Sequence, residues 1–475
     1  MNYNSSFQKW IYHRSPYFVR CAIASLYGWF QRRRRWGEYY HRHRKAIEES
    51  QWFSSEELDT LQFERTKAFL IYAQLHSRFY RKLFAECGFE PGSMRSLADL
   101  RKVPVIDKTV VRRNLDSIMS DDIATLRVRP SRTSGATGQG LQLLESLESF
   151  QREYAFRFQN YSWAGAHFGG RWAFCAGHPV VPYDCAKPPF WVYDKSNNWL
   201  IMSSYHLTEA NLPHYIRELK KFKPEMLSGY PSSIFLLALA NKKMGRPVRP
   251  QTVVTSSETL LDYQRRAIED SFHCKAFSYY GNAERAGCMS QCENGLFHLR
   301  PEHSYAEILD KDNQPAKPGA PGRLVVTAFG NYATPLVRYD VGDIATLSER
   351  RTCQCGRGGT LIEQIDGRVE DYVVTPDGRL IGRLDHLFKN TANVLMSQIE
   401  QDHVNEVRIR IVRDAFYTAK DEAIIREEAR VRLGNEMDIR LEYVDDIPYT
   451  KGGKFRFVIS HVEKKGLSRV QDRYM

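Results

Sequence analysis

Apolar residues recur every three or four positions between residues 55 and 88, and this spacing predicts helix. These positions are Leu58, Leu61, Phe63, Phe69, Leu70, Leu75 and Phe79. Between about 145 and 300, short apolar runs alternate with helical segments. The runs are Trp172-Ala173-Phe174, Glu225-Met226-Leu227, Thr252-Val253-Val254 and Ala276-Phe277-Ser278-Tyr279. Short strands separated by helices predict an α/β fold with a parallel or mixed sheet.

The pattern changes in the second half of the chain. Residues 315–322 contain three prolines and two glycines and predict a loop, which Arg323–Thr327 follows as a strand. A boundary near Asp366-Gly367 precedes a small α+β unit with strands at 407–411 and 439–443 and a helix at 421–433. We therefore predict an N-terminal arm (1–50), a large domain (51–366) and a small C-terminal domain (367–475). Residues 100–108 are predicted to be a short extended piece that leads into a helix.

Composition agrees with a globular protein of several domains. The 475 residues are 42% hydrophobic, which is enough for two or three packed domains. Nine cysteines over this length favour a reducing, cytoplasmic compartment over a disulfide scaffold. No run of about 18 apolar residues occurs, so the sequence does not predict a membrane span.

The net charge of +12 is concentrated at the N-terminus. Residues 1–45 hold ten Lys or Arg and one acid, a balance of +9, so the other 430 residues carry only +3. A nucleic-acid enzyme more often has basic patches throughout, so this class is disfavoured. The arm joins an aromatic, apolar stretch at 17–30 to Arg32–Arg35. Two interpretations are open: a helix lying on the inner face of an anionic membrane, or a helix packed on the protein beside solvated arginines.

A glycine- and hydroxyl-rich octapeptide, Thr133–Gly140, follows basic residues. Glycines let backbone N–H groups turn towards an anion, and Ser and Thr add short donors. The segment lacks the Gly-Lys-Ser/Thr ending of a P-loop. It is predicted to bind a polyphosphate, and the alternative is a flexible surface turn. Its candidate ligand residues are Thr133, Ser134, Gly135, Thr137 and Gly138.

Five segments in order together resemble the adenylate-forming (acyl-CoA synthetase) superfamily. They are Thr133–Gly140, Tyr280-Gly281-Asn282-Ala283-Glu284, Arg338–Asp343, Gly367–Asp371 and Thr450–Lys454. Three others resemble the phenylacetate–CoA ligase branch, which includes relatives associated with capsular polysaccharide synthesis. They are Val103–Lys108, Gly229–Ser233 and Cys353–Arg357. The resemblance covers roughly residues 55–465 and implies a large multi-sheet α/β domain followed by a small mobile α+β domain.

The resemblance also implies roles for individual residues. Glu284 would hold Mg²⁺, Asp343 would bind the ribose hydroxyls, and Lys454 would contact the carboxylate and the α-phosphate. Arg338 and Arg368 are candidate nucleotide contacts, and for each a structural ion pair is the alternative. Further nucleotide contacts fall on Ser257, Glu258, Tyr280, Gly281 and Asn282. Either Tyr279 or Tyr280 could stack on the adenine, and a buried core role is open for one of them.

Two features of the sequence depart from or add to this pattern. Ala136 and Ala283 replace threonines that are usual in the family, and each replacement removes one hydroxyl donor to phosphate. Cys292, His298, Cys353 and Cys355 form a plausible tetrahedral zinc set, with free buried thiols as the alternative.

The implied activity is ATP-dependent conversion of a carboxylic acid to an acyl-adenylate, with transfer to CoA or another acceptor. The alternative is a weakly catalytic or non-catalytic scaffold in a polysaccharide-assembly complex. The sequence does not identify the acid, the acceptor or the oligomeric state.

Overall fold

The computed structural model describes most of the chain. The described residues are 12, 14–132, 141–178, 180–182, 185–208, 210–244, 247–368, 373–376, 380–381, 384–388, 391, 393–448 and 456–462. Helices are α1 (Tyr17–Arg35), α2 (Glu38–Ser50), α3 (Ser55–His76), α4 (Arg78–Glu86), α5 (Lys108–Arg113), α6 (Leu115–Ile118), α7 (Leu147–Trp163), α8 (Leu212–Phe222), α9 (Pro231–Lys242), α10 (Asp262–Phe272) and α11 (Ala419–Leu433). None of these helices is both long enough and apolar enough to cross a bilayer.

Most strands belong to one twelve-stranded sheet in the order β11-β12-β13-β14-β10-β9-β8-β7-β6-β3-β5-β4. These strands are β3 (Trp172–Ala176), β4 (Trp191–Asp194), β5 (Trp199–Ser203), β6 (Met226–Gly229), β7 (Thr252–Ser256), β8 (Ala276–Gly281), β9 (Cys288–Gln291), β10 (Phe297–Leu299), β11 (Tyr305–Leu309), β12 (Pro321–Thr327), β13 (Tyr339–Leu347) and β14 (Leu361–Arg368). Neighbours among β5, β3, β6, β7 and β8 pair in parallel, and the other neighbours pair antiparallel. The predicted mixed α/β sheet is therefore confirmed.

Two smaller groups of strands complete the large α/β part and the C-terminal part. The hairpin of β1 (Val128–Arg132) and β2 (Gln142–Ser146) flanks the predicted phosphate loop. The C-terminal strands are β15 (Val373–Val374), β16 (Leu380–Ile381), β17 (Val394–His403), β18 (Glu406–Arg413), β19 (Asp438–Tyr443) and β20 (Val458–Ser460). The last four form a sheet in the order β19-β18-β17-β20, whose core includes Ile409, Ile411 and Ile425 of α11. A large multi-sheet part followed by an α+β part matches the predicted fold class.

Local chemistry explains the helix boundaries near residue 77. The predicted helical segment 55–88 forms two helices, because Ser77 is extended (φ −117°, ψ 118°) and caps the second one. Ser54 and Glu57 form a capping box at the start of α3, which satisfies backbone donors that the first turn leaves free. Phe69 and Leu70 of α3 and Tyr80 and Phe84 of α4 are fully buried in the largest apolar core.

Two expectations about loops are wrong in detail. Pro321 and Gly322, predicted to lie in the loop, begin β12, because that strand extends to pair with β13. Leu100–Lys102, predicted to be extended, complete a 3₁₀ helix that starts at Leu97, and only the residues after it are extended. Ile106 then pairs with Tyr339 and leads into α5 as expected.

Candidate active site

The carboxyl ends of parallel strands β7 and β8 bring two of the sequence motifs to one edge of the sheet. Ser256 pairs with Tyr279, so the segments that follow, Ser257-Glu258 and Gly281–Glu284, start side by side. Ligands of open α/β sheets bind beyond this kind of edge. Glu258 Oε2 accepts a hydrogen bond from the backbone N–H of Ser232, at the start of α9. This contact joins the segment after β7 to the Gly229–Ser233 segment after β6.

The third motif meets the second through two tyrosines. Tyr280 Oη donates to Asp343 Oδ2 (2.6 Å), and Tyr339 Oη donates to Glu284 Oε1 (3.4 Å). Glu284 and Asp343 are both buried, being 5% and 8% exposed. Asn282 Oδ1 accepts the backbone N–H of Ala286 (2.8 Å), which closes the turn that carries Glu284. These two hydrogen bonds span 63 and 55 positions of sequence, and they bring Tyr280, Glu284 and Asp343 into one polar cluster.

The single carboxylate of Glu284 is a suitable ligand for Mg²⁺. This ion prefers oxygen and is commonly bound by one or two carboxylates together with substrate phosphates. Glu284 is buried at the sheet edge, in the same motif as Tyr280, which bonds the candidate ribose ligand Asp343. This position is compatible with that arrangement.

Arg338 lies in the protein interior rather than in an open site. Its Nε and Nη2 donate to the two carboxylate oxygens of Glu307 at 2.8 and 2.9 Å, and Nη1 donates to Val103 O at 2.6 Å. The residue is 3% exposed and has a positive φ of 44°. Of the two alternatives that the sequence left open, the structural ion pair is the one observed.

The two tyrosines of β8 have different surroundings. Tyr279 is 6% exposed, and its hydroxyl donates to Glu153 Oε1 of α7 (2.8 Å). Tyr280 is only partly buried and faces Asp343. Tyr279 therefore has the buried core role, and Tyr280 is the candidate for contact with the nucleotide.

A network of buried charges beside these motifs was not found by sequence reasoning. Glu153 is close to His303 Nε2 (3.4 Å) and Arg285 Nη1 (3.8 Å), while Glu145 pairs with Arg285 Nε (2.7 Å) and with Arg129. Burial by itself raises the pKa of Glu153, but the hydrogen bond to His303 and the charge of Arg285 hold that pKa well below the usual range. The contacts of Arg285 and His303 with these glutamates join residues more than 130 positions apart, so no local sequence pattern predicts them.

Several predicted site residues lie outside the described part of the chain. They are Thr133, Ser134, Gly135, Thr137, Gly138 and Lys454. Arg368 ends β14, and its side chain is likewise not described. The roles of these residues remain predictions.

Cys292, His298, Cys353 and Cys355 converge on one point. Their ligand atoms all lie within 4.8 Å of one another. Cys292 Sγ is 3.6 Å from Cys353 Sγ, and Cys355 Sγ is 3.4 Å from His298 Nε2. Zn–S bonds of about 2.3 Å in a tetrahedron require S–S separations of roughly 3.8 Å, so the set fits zinc.

The histidine of this set is prepared to bind a metal through Nε2. Its Nδ1 lies 3.0 Å from the carbonyl of Gly358, a contact that fixes the ring and directs Nε2 at the sulfurs. Burial lowers the pKa of His298 to about 4, so the imidazole is neutral at neutral pH, as a metal ligand must be.

Several known proteins are similar to this chain in sequence or in fold. Residues 373–461 match the CapK C-terminal domain family. Protein CapK of Staphylococcus aureus is 26% identical over 96% of this chain and 99% of its own length. A phenylacetate–coenzyme A ligase of Thermus thermophilus is 26% identical over 67% of this chain and 72% of its own length. The structure of 2-hydroxyisobutyryl-CoA ligase in complex with 2-HIB-AMP superposes with a TM-score of 0.67 at 19% identity, covering 89% of this chain and 92% of that one.

Proposed function

We propose that this chain, an adenylate-forming, phenylacetate–CoA ligase-like protein, uses ATP to activate a carboxylic acid. A carboxylate oxygen would attack the α-phosphorus of ATP, forming an acyl-adenylate and releasing pyrophosphate. A thiol, with CoA as the first candidate, would then attack the acyl carbon and release AMP. The observation that carries the proposal is the polar cluster of Tyr280, Glu284 and Asp343 at the carboxyl edge of the sheet.

The residues of the cluster suit these steps. Glu284 would hold Mg²⁺, which supplies positive charge opposite the phosphate oxygens when it is bound. Asp343 would accept hydrogen bonds from the ribose hydroxyls, and Tyr280 would hold that carboxylate in place through its 2.6 Å hydrogen bond. Lys454 would present its ammonium to the substrate carboxylate and the α-phosphate during the first step. Arg338 acts in this proposal as a structural residue paired with Glu307 rather than as a nucleotide ligand.

A role in polysaccharide assembly is a finer part of the proposal. Its support is the near full-length similarity to Protein CapK and the CapK C-terminal domain match. The competing hypothesis is a non-catalytic scaffold in such an assembly. Ala136 and Ala283 favour it, because each lacks a hydroxyl that would bind phosphate, whereas retention of Glu284 and Asp343 argues for catalysis.

The test is release of pyrophosphate from ATP over a panel of aryl, short-chain, hydroxy and amino acids. Glu284→Gln keeps the shape of the side chain and removes its charge. We expect it to lower the rate by about 10²–10³, as removal of one preorganised charged group does elsewhere. Glu363→Gln is the matched control, because that glutamate is exposed on β14. Equal rates for both variants would refute the metal role, and absence of acid-dependent release over the panel would favour the scaffold.

We also propose peripheral contact with an anionic membrane through α1. The helix packs on the protein by Ala24 and Gly28, where a Cβ at Gly28 would overlap the carboxylate of Asp194. Its opposite face exposes an apolar stripe of Phe18, Leu26, Trp29 and Phe30 at 72, 59, 40 and 57%. The guanidinium of Arg33 lies 4.0 Å from the Trp29 ring centroid, and residues 1–37 contain no acid. Aromatic residues beside exposed arginines match the chemistry of an anionic bilayer surface.

A further inference from the structure

A buried carboxylate joins the hairpin that flanks the predicted phosphate loop to the turn that carries Glu284. Glu145 lies near the end of β2 and is 2% exposed. Its Oε2 accepts a hydrogen bond of 2.7 Å from Nε of Arg285, 140 positions further along the chain, and its Oε1 contacts Nη2 of Arg129. One carboxylate thus holds two guanidinium groups that come from different parts of the fold.

On the hairpin side, the contact is a cross-strand pair. Arg129 of β1 and Glu145 of β2 are direct partners in the antiparallel register, and β1 ends at Arg132, immediately before the predicted phosphate loop. Glu145 is followed by Ser146, whose hydroxyl accepts the backbone N–H of Ser149 and caps α7. Glu145 therefore fixes β1 to the point where β2 passes into α7.

On the motif side, the arginine has an unfavourable backbone conformation. Arg285 directly follows Glu284 and has a φ of 57°, in the left-handed region that residues other than glycine rarely adopt. Its backbone N–H donates to Asn282 O at 3.2 Å, within the turn, and its side chain is 17% exposed. Contacts of the guanidinium offset the backbone cost, and they hold in place the residue next to Glu284.

Helix α7 supports both arginines from one side. The guanidinium of Arg129 lies 3.6 Å from the ring centroid of Phe150, and that of Arg285 lies 5.8 Å from the same centroid. Nη1 of Arg285 is also 3.8 Å from Oε1 of Glu153, which lies one turn after Phe150. An aromatic face and two carboxylates restrict a planar guanidinium more than one surface ion pair does.

The arrangement is better explained by geometry than by stability. The desolvation of a buried ion pair costs about as much free energy as its attraction returns, so such a pair is weak evidence of a stabilising role. It does fix a distance, because separating the partners leaves a buried charge uncompensated. Adenylation depends on such a distance, since the predicted phosphate loop would hold the polyphosphate of ATP and Glu284 would hold its Mg²⁺.

We propose that Glu145 is a positioning residue, which sets the distance between the β1–β2 hairpin and Glu284 through its ion pairs with Arg129 and Arg285. This inference rests on the proposed adenylation. In this role Glu145 touches neither ATP nor the metal. It acts through the two arginines, which keep the metal ligand aligned with the strands that flank the phosphate loop.

The test is a double-variant cycle that measures the Mg²⁺ dependence of pyrophosphate release. Glu145→Gln keeps the size of the side chain and removes both ion pairs. We expect it to lower kcat by about 10²-fold, the cost of a displacement of about 1 Å elsewhere, and to raise the Mg²⁺ concentration that gives half the maximal rate. Arg285→Gln should show both effects. The loss in the double variant should be far smaller than the product of the two single losses, because Glu145 acts through that arginine.

Two further variants distinguish positioning from support of the fold. Glu302→Gln is the matched control, because it breaks another buried ion pair, with Arg300 at 2.8 Å, in a segment that carries neither motif. It should lower the Tm as Glu145→Gln does and leave the Mg²⁺ dependence unchanged. Arg285→Lys keeps the charge and loses the separate donors to the two carboxylates, so its Mg²⁺ dependence should lie between those of the parent and Arg285→Gln. Should Glu145→Gln fail to fold, Arg285→Lys carries the same test.

Calorimetry of ATP binding with and without Mg²⁺ supplies a measurement that needs no turnover. Mg²⁺ should raise the affinity of the parent protein for ATP, because Glu284 and the phosphates share the ion. The same addition of Mg²⁺ should raise the affinity of Glu145→Gln much less, and that of Glu302→Gln as much as in the parent.

The possible outcomes separate the inference from the proposed function. A lower Tm in Glu145→Gln with unchanged kcat and Mg²⁺ dependence would show that Glu145 only supports the fold, and adenylation would stand. Single losses that multiply in the double variant would also refute the inference. Loss of Mg²⁺-enhanced ATP binding in Glu145→Gln, without pyrophosphate release by the parent from any acid, would support the inference and refute adenylation. A parent protein that neither binds ATP with Mg²⁺ nor releases pyrophosphate would overturn both.

Discussion

At the scale of single residues, the same type of side chain has opposite roles according to its partners. Arg338 is saturated by Glu307 and backbone carbonyls, whereas the guanidinium of the exposed Arg33 contacts the Trp29 ring. The sequence motif identified Arg338 as a site residue, because a family resemblance assigns a role to a position in the chain and takes no account of the partners of the side chain. The partners of each guanidinium decide which arginine supports the fold and which remains available to a ligand.

The Arg338–Glu307 pair gives a test of the structural role. Arg338→Met leaves a buried carboxylate without its partner and should lower the free energy of unfolding by about 3–5 kcal/mol. The double variant Arg338→Met/Glu307→Leu removes both charges and should recover much of that loss. Urea unfolding of the parent, both single variants and the double variant gives the coupling energy. Additive losses in the double variant would contradict a direct ion pair.

At the scale of elements, two segments far from the polar cluster are tied to the large sheet by different chemistry. The loop between β13 and β14 meets β9 and β10 through the cysteine–histidine set. Helix α1 meets β4 by close packing, with small residues at the contact. Each contact depends on a few identifiable side chains. Substitution of those side chains would therefore remove the contact and leave the proposed catalytic residues unchanged.

We expect about one equivalent of zinc in protein purified without chelator, held by Cys292, His298, Cys353 and Cys355. Four protein ligands leave no open coordination position, so the metal would be structural. Cys353→Ser should lower both the zinc content and the Tm, while Cys87→Ser, a half-buried cysteine away from the set, should change neither. Elemental analysis and thermal unfolding measure these effects. Less than half an equivalent of zinc in the parent protein would identify the set as free thiols.

Helix α1 should bring the protein to vesicles that contain anionic lipid. Each apolar side chain transferred from water contributes about 1.5–3 kcal/mol when fully buried, so Leu26→Glu/Phe30→Glu should reduce sedimentation with such vesicles by more than tenfold. Leu75→Glu is the matched control, because Leu75 on α3 is 58% exposed, close to the 59% of Leu26. Binding should also weaken with salt. Unchanged sedimentation of the double variant would exclude this face as the contact, and loss of a dimer in that variant would indicate a second copy of the chain as its partner.

At the scale of the whole molecule, three histidines and Glu153 share one direction of pKa shift, while burial raises the pKa of the Asp340 carboxyl. Burial lowers the pKa values of His43 and His303 and lowers that of His178 to about 4, so these side chains fold in their neutral form. The pKa of Glu153 is also below its ordinary value, where hydrogen bonds and positive charges outweigh burial. For all four groups the unfolded state binds protons more readily than the folded state.

Stability should therefore fall as the pH is lowered. A group with a depressed folded pKa contributes stability above its unfolded pKa, and this contribution is lost as the pH falls towards the folded value. The loss should begin below about pH 6.5 for the histidines and steepen below about pH 4.3 as Glu153 joins them. Urea unfolding measured between pH 8 and 4 checks the sign. A parent protein that is more stable at pH 5 than at pH 7.5 would contradict this account, and His303→Gln should show a weaker dependence than the parent.

Short-range patterns in the sequence determined the strands, the helices and the segments that carry the site motifs. Apolar spacing is set by the geometry of one element, so it predicted the parallel strands that end at Ser256 and Gly281 and the mixed α/β sheet. Ordered motifs likewise identified Tyr280, Glu284 and Asp343, and the chemistry of thiolate and imidazole ligands identified the four zinc candidates, before any contact was known.

Tertiary structure alone decided which of those residues meet and what their charges face. The core role of Tyr279 and the burial of Arg338 against Glu307 both depend on partners from other elements. Coulomb energy and desolvation depend on distance and burial in space, and neither quantity is encoded in the spacing of neighbouring residues. For this reason the sequence predicted the type of chemistry, and the fold decided the electrostatic state of each group.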